Sequence, residues 1–148
     1  MSRCPAVNTG DELARVEEAN AGLYRAFESL TLREMEAVWA RGERVKCVHP
    51  GWGLLTGWES VRASWETIFK NTTEIRFSVT DVRAQVEGNL AWVTCTENIL
   101  SQVSGNISVG TVLATNIFER HDEGWLMIHH HGSHVFSGEA ASEPEETA

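Results

Sequence analysis

Six histidines stand in a chain of 148 residues, and their placement is its first chemical signal. An imidazole titrates near neutral pH, so one held in a pocket can take or give a proton there. His49 ends an apolar, strand-like run from Arg44 and precedes Pro50, whose ring holds the residue before it extended. It reads either as a proton carrier at a pocket mouth or as a structural histidine tying down the loop HPGWG. Further along, Asn116 shares a strand face with Ala114 and Phe118; a buried amide there needs partners and would orient a ligand carbonyl or a histidine. His129, His130 and His131 are consecutive, and strand parity puts His129 and His131 on one face with Trp125 and Met127, His130 on the other. If the His129/His131 face points inward, these two join His49. Three such histidines have a workable zinc spacing, but spacing alone supports it. Polar pocket lining is the reading kept, and neither metal nor cofactor is expected.

The chain also carries six tryptophans. Each has a packing role as its plain alternative. Trp52, in a glycine-flanked loop, is the least explained by packing. Trp39, Trp52, Trp65 and Trp92, with Thr94, Thr96, His129 and His131, are the expected lining of a pocket for a hydrophobic small molecule. In WVTCTEN, Trp92, Thr94 and Thr96 take one face and Val93, Cys95 and Glu97 the other. No Ser/His/Asp set, glycine-rich phosphate loop or pair of inward carboxylates can be assembled, which leaves serine acyl transfer, nucleotide binding and glycoside hydrolysis without support.

Positioning these side chains requires helices first and strands last. Thr9 with Glu12, Thr31 with Glu34 and Thr56 with Glu59 have capping-box spacing. Apolar residues then recur by threes and fours: Leu13, Val16, Leu23, Tyr24 and Phe27; Met35, Val38 and Trp39; Val61, Trp65, Ile68 and Phe69. From Glu74 the period falls to two. Ile75, Phe77 and Val79 alternate, and Val82, Ala84 and Val86 resume one step out of phase, which predicts a bulge at Thr80 and Asp81. Turns at 87–89, 105–106 and 122–124 separate three further strands. The order predicts an α+β domain in which three helices pack on a strongly bent mixed or antiparallel sheet, a cone-shaped, barrel-like form enclosing a pocket.

Lys and Arg number 12 against 21 Asp and Glu, a net charge of −9. With a pI near 5.1 and no basic cluster, nucleic acid is not an expected partner. No apolar run has the length of a membrane span and nothing reads as a leader, so the expected address is cytoplasmic. Three cysteines at wide spacing read as reduced thiols. Four of the acidic residues lie in the last ten, which marks 137–148 as a solvated, disordered tail; 1–8 read as flexible, and 9–136 as one folded domain. Val93, Cys95, Leu126 and Ile128 are expected on the outer sheet face, too apolar for water, and predict a homodimer through it.

The element order, together with VHPGWGLLTGW, WVTCTEN, ATNIFE and GWLMIHHHGS, resembles the nuclear-transport-factor-2-like superfamily, and within it the SnoaL-like branch, over about residues 11–136. The ketosteroid isomerases share that fold, and the resemblance puts His49 at their general base, Tyr24 near an oxyanion-binding tyrosine and Asn116 near a protonated aspartate. His for Asp and Asn for Asp change both base and donor, so the steroid activity does not carry over. The resemblance implies cofactor-free acid/base chemistry of isomerase or cyclase type, in which His49 moves a proton while Tyr24 and Asn116 hydrogen-bond an enolate. It also implies an alternative: Trp125, His129 and His131 match a pattern in a kinase association domain, a module that assembles oligomers without catalysing a reaction.

Overall fold

The computed structural model describes residues 9–136; the expected flexible N-terminus and acidic tail lie outside the described residues. One long helix, α1 (Thr9–Ser29), carries Val16, Leu23, Tyr24 and Phe27 on a single buried stripe, as their spacing requires. It ends at Leu30, which turns the chain with a positive φ of 55°. Helix α2 (Leu32–Val38) buries Met35, and α3 (Trp58–Asn71) buries Val61, Ser64 and Trp65. Fully removing side chains such as Leu23, Met35 or Trp65 from water stabilises the fold by about 2 kcal/mol each.

At α2 and α3 the cap signals mark the helix starts but not the caps themselves. Thr31 makes no side-chain cap bond, and its hydroxyl donates to the Ser29 carbonyl. Helix α3 starts from Gly57, at φ 92°, a backbone form open to glycine. Glu12 turns its carboxylate to the opposite end of the chain, accepting from Trp125 Nε1 at 2.9 Å and pairing with Arg120 at 3.2 Å and Arg15 at 2.8 Å. Helix α1 is thereby clasped to the sheet.

The strands are β1 (Lys46–Val48), β2 (Leu55–Thr56), β3 (Thr72–Glu87), β4 (Leu90–Val103), β5 (Asn106–His121) and β6 (Gly124–His134), in one sheet ordered β2-β1-β6-β5-β4-β3. β1 runs parallel to β6 and all other pairings are antiparallel, so the sheet is mixed. It bends over the helices without closing, and β2 and β3 remain its edges.

Two bulges set which side chains meet the helices. The first falls between Thr80 and Arg83 of β3, where the apolar pattern slips, with Asp81 at φ 55°. The second falls in β6. Ile117 pairs with His129 and the next residue, Phe118, with Met127, so Ile128 is the extra residue. An extra residue reverses the parity of everything beyond it. Trp125 and Met127 point inward, and after the bulge so does His130, not His129 or His131.

Candidate functional site

The inward positions of β4, β5 and β6 bring polar side chains into an otherwise apolar interior. Asn116 of β5 is fully buried, directly opposite His130 of β6, and Cys95 and Glu97 of β4 lie on the same face. Helix α1 lays Asn20 and Tyr24, one turn apart, over this row. The result is a directed chain of hydrogen bonds. His130 Nδ1 donates to Asn116 Oδ1 at 2.6 Å, because an amide oxygen can only accept. Asn116 Nδ2 donates to Asn20 Oδ1 at 2.8 Å and to the Tyr24 hydroxyl at 3.2 Å. Tyr24 in turn donates to Glu97 Oε2 at 2.6 Å, with Cys95 Sγ 3.4 Å from its oxygen.

Glu97 ends this chain in a place where a carboxylate is costly. Burial pushes its pKa up to about 7, although the Tyr24 hydrogen bond pulls the other way. Its carboxyl therefore exchanges a proton near neutrality, the property a general acid or base requires. Tyr24 is raised far above its ordinary value, by burial first and by Glu97 second, so it stays a neutral phenol and acts as a donor.

His49 lies in the same interior, next to His130. It is buried, and its Nε2 is 2.8 Å from Ser64 Oγ. Ser64 spends its one proton on the Val61 carbonyl at 2.6 Å, so His49 is the donor and the serine is not activated as a nucleophile. The ring stands edge-on to Trp65 at 4.7 Å and to Trp52 at 4.9 Å, and 6.2 Å from His130. Burial lowers His49 to about 4 and His130 to about 3, so both are neutral at pH 7. A base of that strength is a poor proton acceptor, and the geometry favours the structural reading of His49.

Beside Tyr24 the surface opens. A groove of about 540 Å³ runs between α1 and β3, lined by Glu17, Asn20, Tyr24, Phe77, Val79 and Val82 among others. The β3 bulge shapes its far wall, and Val79 pairs across the sheet with Glu97, which places the carboxyl just behind the groove. The titrating pair and the groove thus share Tyr24.

The structure brings together His49, Trp65, Tyr24 and Asn116 in the interior, and adds Trp52 as a partly exposed flank of His49. Trp39 is a core residue against Trp58. Trp92 and Thr94 are exposed and Thr96 is half-buried, all on the outer face; Val93, Cys95 and Glu97 take the interior instead. His129 and His131 are also outward, 6.1 Å apart ring to ring, and do not join His49. The expectation for Val93 and Cys95 on the outer face is corrected likewise, while Leu126 and Ile128 are there and half-buried. Sequence reasoning missed Glu97, Asn20, Ser64 and His130. Among the described residues, no group of three or more His, Cys, Asp or Glu side chains is arranged to hold a metal ion, and no helix is long and apolar enough to cross a membrane.

Helices laid over one face of a bent mixed sheet, with a polar chain in the interior, define a nuclear-transport-factor-2-like protein. The chain belongs to the SnoaL-like domain family, which it matches over residues 16–137. A candidate dehydratase of the NTF2-like family from Streptomyces avermitilis is 36% identical, with 88% of this chain and all of that one covered and a TM-score of 0.82. A candidate calcium/calmodulin-dependent protein kinase type II association domain from Thiobacillus denitrificans is 32% identical over 81% of this chain and 94% of that one, with a TM-score of 0.71. The F-box protein SKIP8 of Arabidopsis thaliana is 32% identical over 114 residues, which are 77% of this chain and 47% of that protein. The chain thus spans about half the length of this curated relative.

Proposed function

We propose that this protein binds a small, largely apolar molecule in the groove between α1 and β3 and moves a proton on it without a cofactor, in an isomerase-, cyclase- or dehydratase-type step. The observation that carries this is the buried 2.6 Å contact between Tyr24 and Glu97 beside the groove, with the carboxyl poised near pH 7. When Glu97 holds its proton it donates to the Tyr24 oxygen across the 2.6 Å contact, and the single Tyr24 proton is then free to hydrogen-bond a ligand carbonyl. As Tyr24's proton passes to that oxygen, Glu97's passes to Tyr24 and the proton on the carbon next to the carbonyl leaves to water in the open groove, giving the enol and the Glu97 carboxylate; the reverse steps take a proton from water onto the carbon and return Glu97's. Relative to the reading drawn from sequence, proton transfer moves from His49 to Glu97. The similarity to a candidate dehydratase supports this class of chemistry. An acidic chain without a membrane-crossing helix among the described residues fits a cytoplasmic address.

The test is deuterium exchange in D2O on a panel of cyclic enones, followed by proton NMR. The wild type is expected to label the position next to the carbonyl, and Tyr24→Phe and Glu97→Gln to lose about 10²-fold or more of that rate. Absence of both binding and exchange across the panel overturns the reading.

A second reading is a non-catalytic binding or assembly module, favoured by the 32% identity to the association domain. The outer sheet face supports assembly in either case. Trp92, Leu113 and Val109 are exposed on it beside half-buried Ile117, Leu126 and Ile128, a patch suited to a second copy of this chain. Ligand binding retained in Glu97→Gln, normal assembly and no turnover by the parent would favour the module.

A further inference from the structure

We propose that His130 is the positioning residue of the Tyr24–Glu97 pair: by donating its Nδ1 proton to Asn116 it fixes which end of that amide faces Tyr24, and so which way the Tyr24 hydroxyl points. The inference rests on Tyr24 and Glu97 being the proton-carrying pair, but it concerns the protein without ligand.

The two ends of an asparagine amide have nearly the same shape, so only their partners decide the orientation. Tyr24 has a single hydroxyl proton, and the 2.6 Å contact to Glu97 takes it. Its oxygen must therefore accept from Asn116, which presents N–H to it at 3.2 Å. The same Nδ2 group gives its second proton to Asn20 Oδ1 at 2.8 Å. Asn116 Oδ1 is then left facing His130, and the 2.6 Å contact there requires a proton on Nδ1. Each link fixes the next. All five residues are at most 5% exposed, so these hydrogen bonds are made in a largely desolvated interior.

The β6 bulge gives this arrangement its purpose. The extra residue Ile128 makes His130, rather than His129, the histidine that faces inward opposite Asn116. The residues that approach Glu97 leave Tyr24 as the donor that matters. Tyr24 comes from α1 and Cys95 from its own strand, while its cross-strand neighbours Val79 of β3 and Val112 of β5 are apolar. Around His130 stand His49, Trp65 and, on the outer face, His129 and His131, all uncharged or outward at neutral pH.

Losing the His130 donor lets the amide present Oδ1 to Tyr24, with the Asn20 amide turning alongside it to donate, since Asn20 Nδ2 is otherwise held by Cys95 Sγ at 3.9 Å. The hydroxyl then turns to that oxygen and Glu97 loses the hydrogen bond that favours its charged form. Titration of the Glu97 carboxyl by carbon-13 NMR, assigned with Glu97→Gln, reads this directly. His130→Leu is expected to raise the midpoint by about one pH unit, and His130→Gln, whose amide can donate in the same place, to hold it near the wild-type value. An unchanged midpoint in folded His130→Leu overturns the proposal. Should that variant not fold, nitrogen-15 NMR of the wild-type ring decides: the proton is expected on Nδ1, and a proton found on Nε2 overturns it. A shifted midpoint in a protein that binds no enone keeps this inference and removes the proposed function.

Discussion

Glu97→Gln separates the buried carboxyl from every other titrating group, because its effect is a difference between two curves. In the folded chain Glu97 is held near pH 7 against an ordinary value of 4.5. The folded state thus keeps a proton that the unfolded chain releases between those values. Stability follows the proton count: where the folded state binds more protons, stability falls as pH rises. Glu97's contribution is fully present below about 4.5 and is lost as pH climbs through 7, a change of about 3 kcal/mol at 1.4 kcal/mol per tenfold step. The buried histidines act with the opposite sign. His49 and His130 are held near 4 and 3 against 6.5, so their contribution is present above 6.5 and lost as pH falls through those lower values. The parent's curve mixes these slopes, but subtracting it from that of Glu97→Gln leaves the carboxyl alone. Any fixed cost of placing an amide there is the same at every pH. Urea unfolding followed by circular dichroism at intervals from pH 4.5 to 8 should show the variant gaining about 3 kcal/mol on the parent across the window. Parallel curves would refute the assignment of the titrating group to Glu97, and with it the chemical basis of the proposed site.

Three further outcomes follow from the packing. Glu12→Ala leaves Trp125 Nε1 without its acceptor and Arg120 without its ion-pair partner under α1, though Arg120 keeps the Gly88 carbonyl, and should cost about 3 kcal/mol by urea unfolding. Gly132→Ala puts a Cβ 3.0 Å from Val112 Cγ1 and 3.3 Å from Pro50 Cγ, so one of these must shift, at about 1 kcal/mol, seen as a lower melting temperature. The parent should sediment as a dimer at micromolar concentration and Leu113→Glu, which charges an exposed position on the outer face, as a monomer; a monomeric parent removes the dimer.

The helices, the meander and the β3 bulge are legible in the chain because each leaves a local trace: an apolar stripe, a period of two, a slip of phase at Thr80 and Asp81. The β6 bulge leaves none. Trp125, Leu126, Met127 and Ile128 are all apolar, so no alternation exists there for an extra residue to interrupt, and parity counted from Trp125 carries the wrong histidines inward. In β4 the misleading signal is different. Trp92 is large and aromatic and Glu97 charged, and the ordinary preference of tryptophan for cores and glutamate for water selects the wrong face. What overrides it is Tyr24, 73 positions away in the chain, whose hydroxyl gives Glu97 a buried partner. Asn116 was legible as an inward amide because Ala114 and Phe118 flank it, yet its partners Asn20 and His130 come from two other elements. A polar group is admitted to an interior only by hydrogen bonds, and here those bonds span α1, β4, β5 and β6. Apart from Glu12, which clasps α1 to the sheet, the buried polar positions of the described residues are those of the candidate site, and the rule hid Glu97 for the same physical reason that makes it titrate near neutral pH.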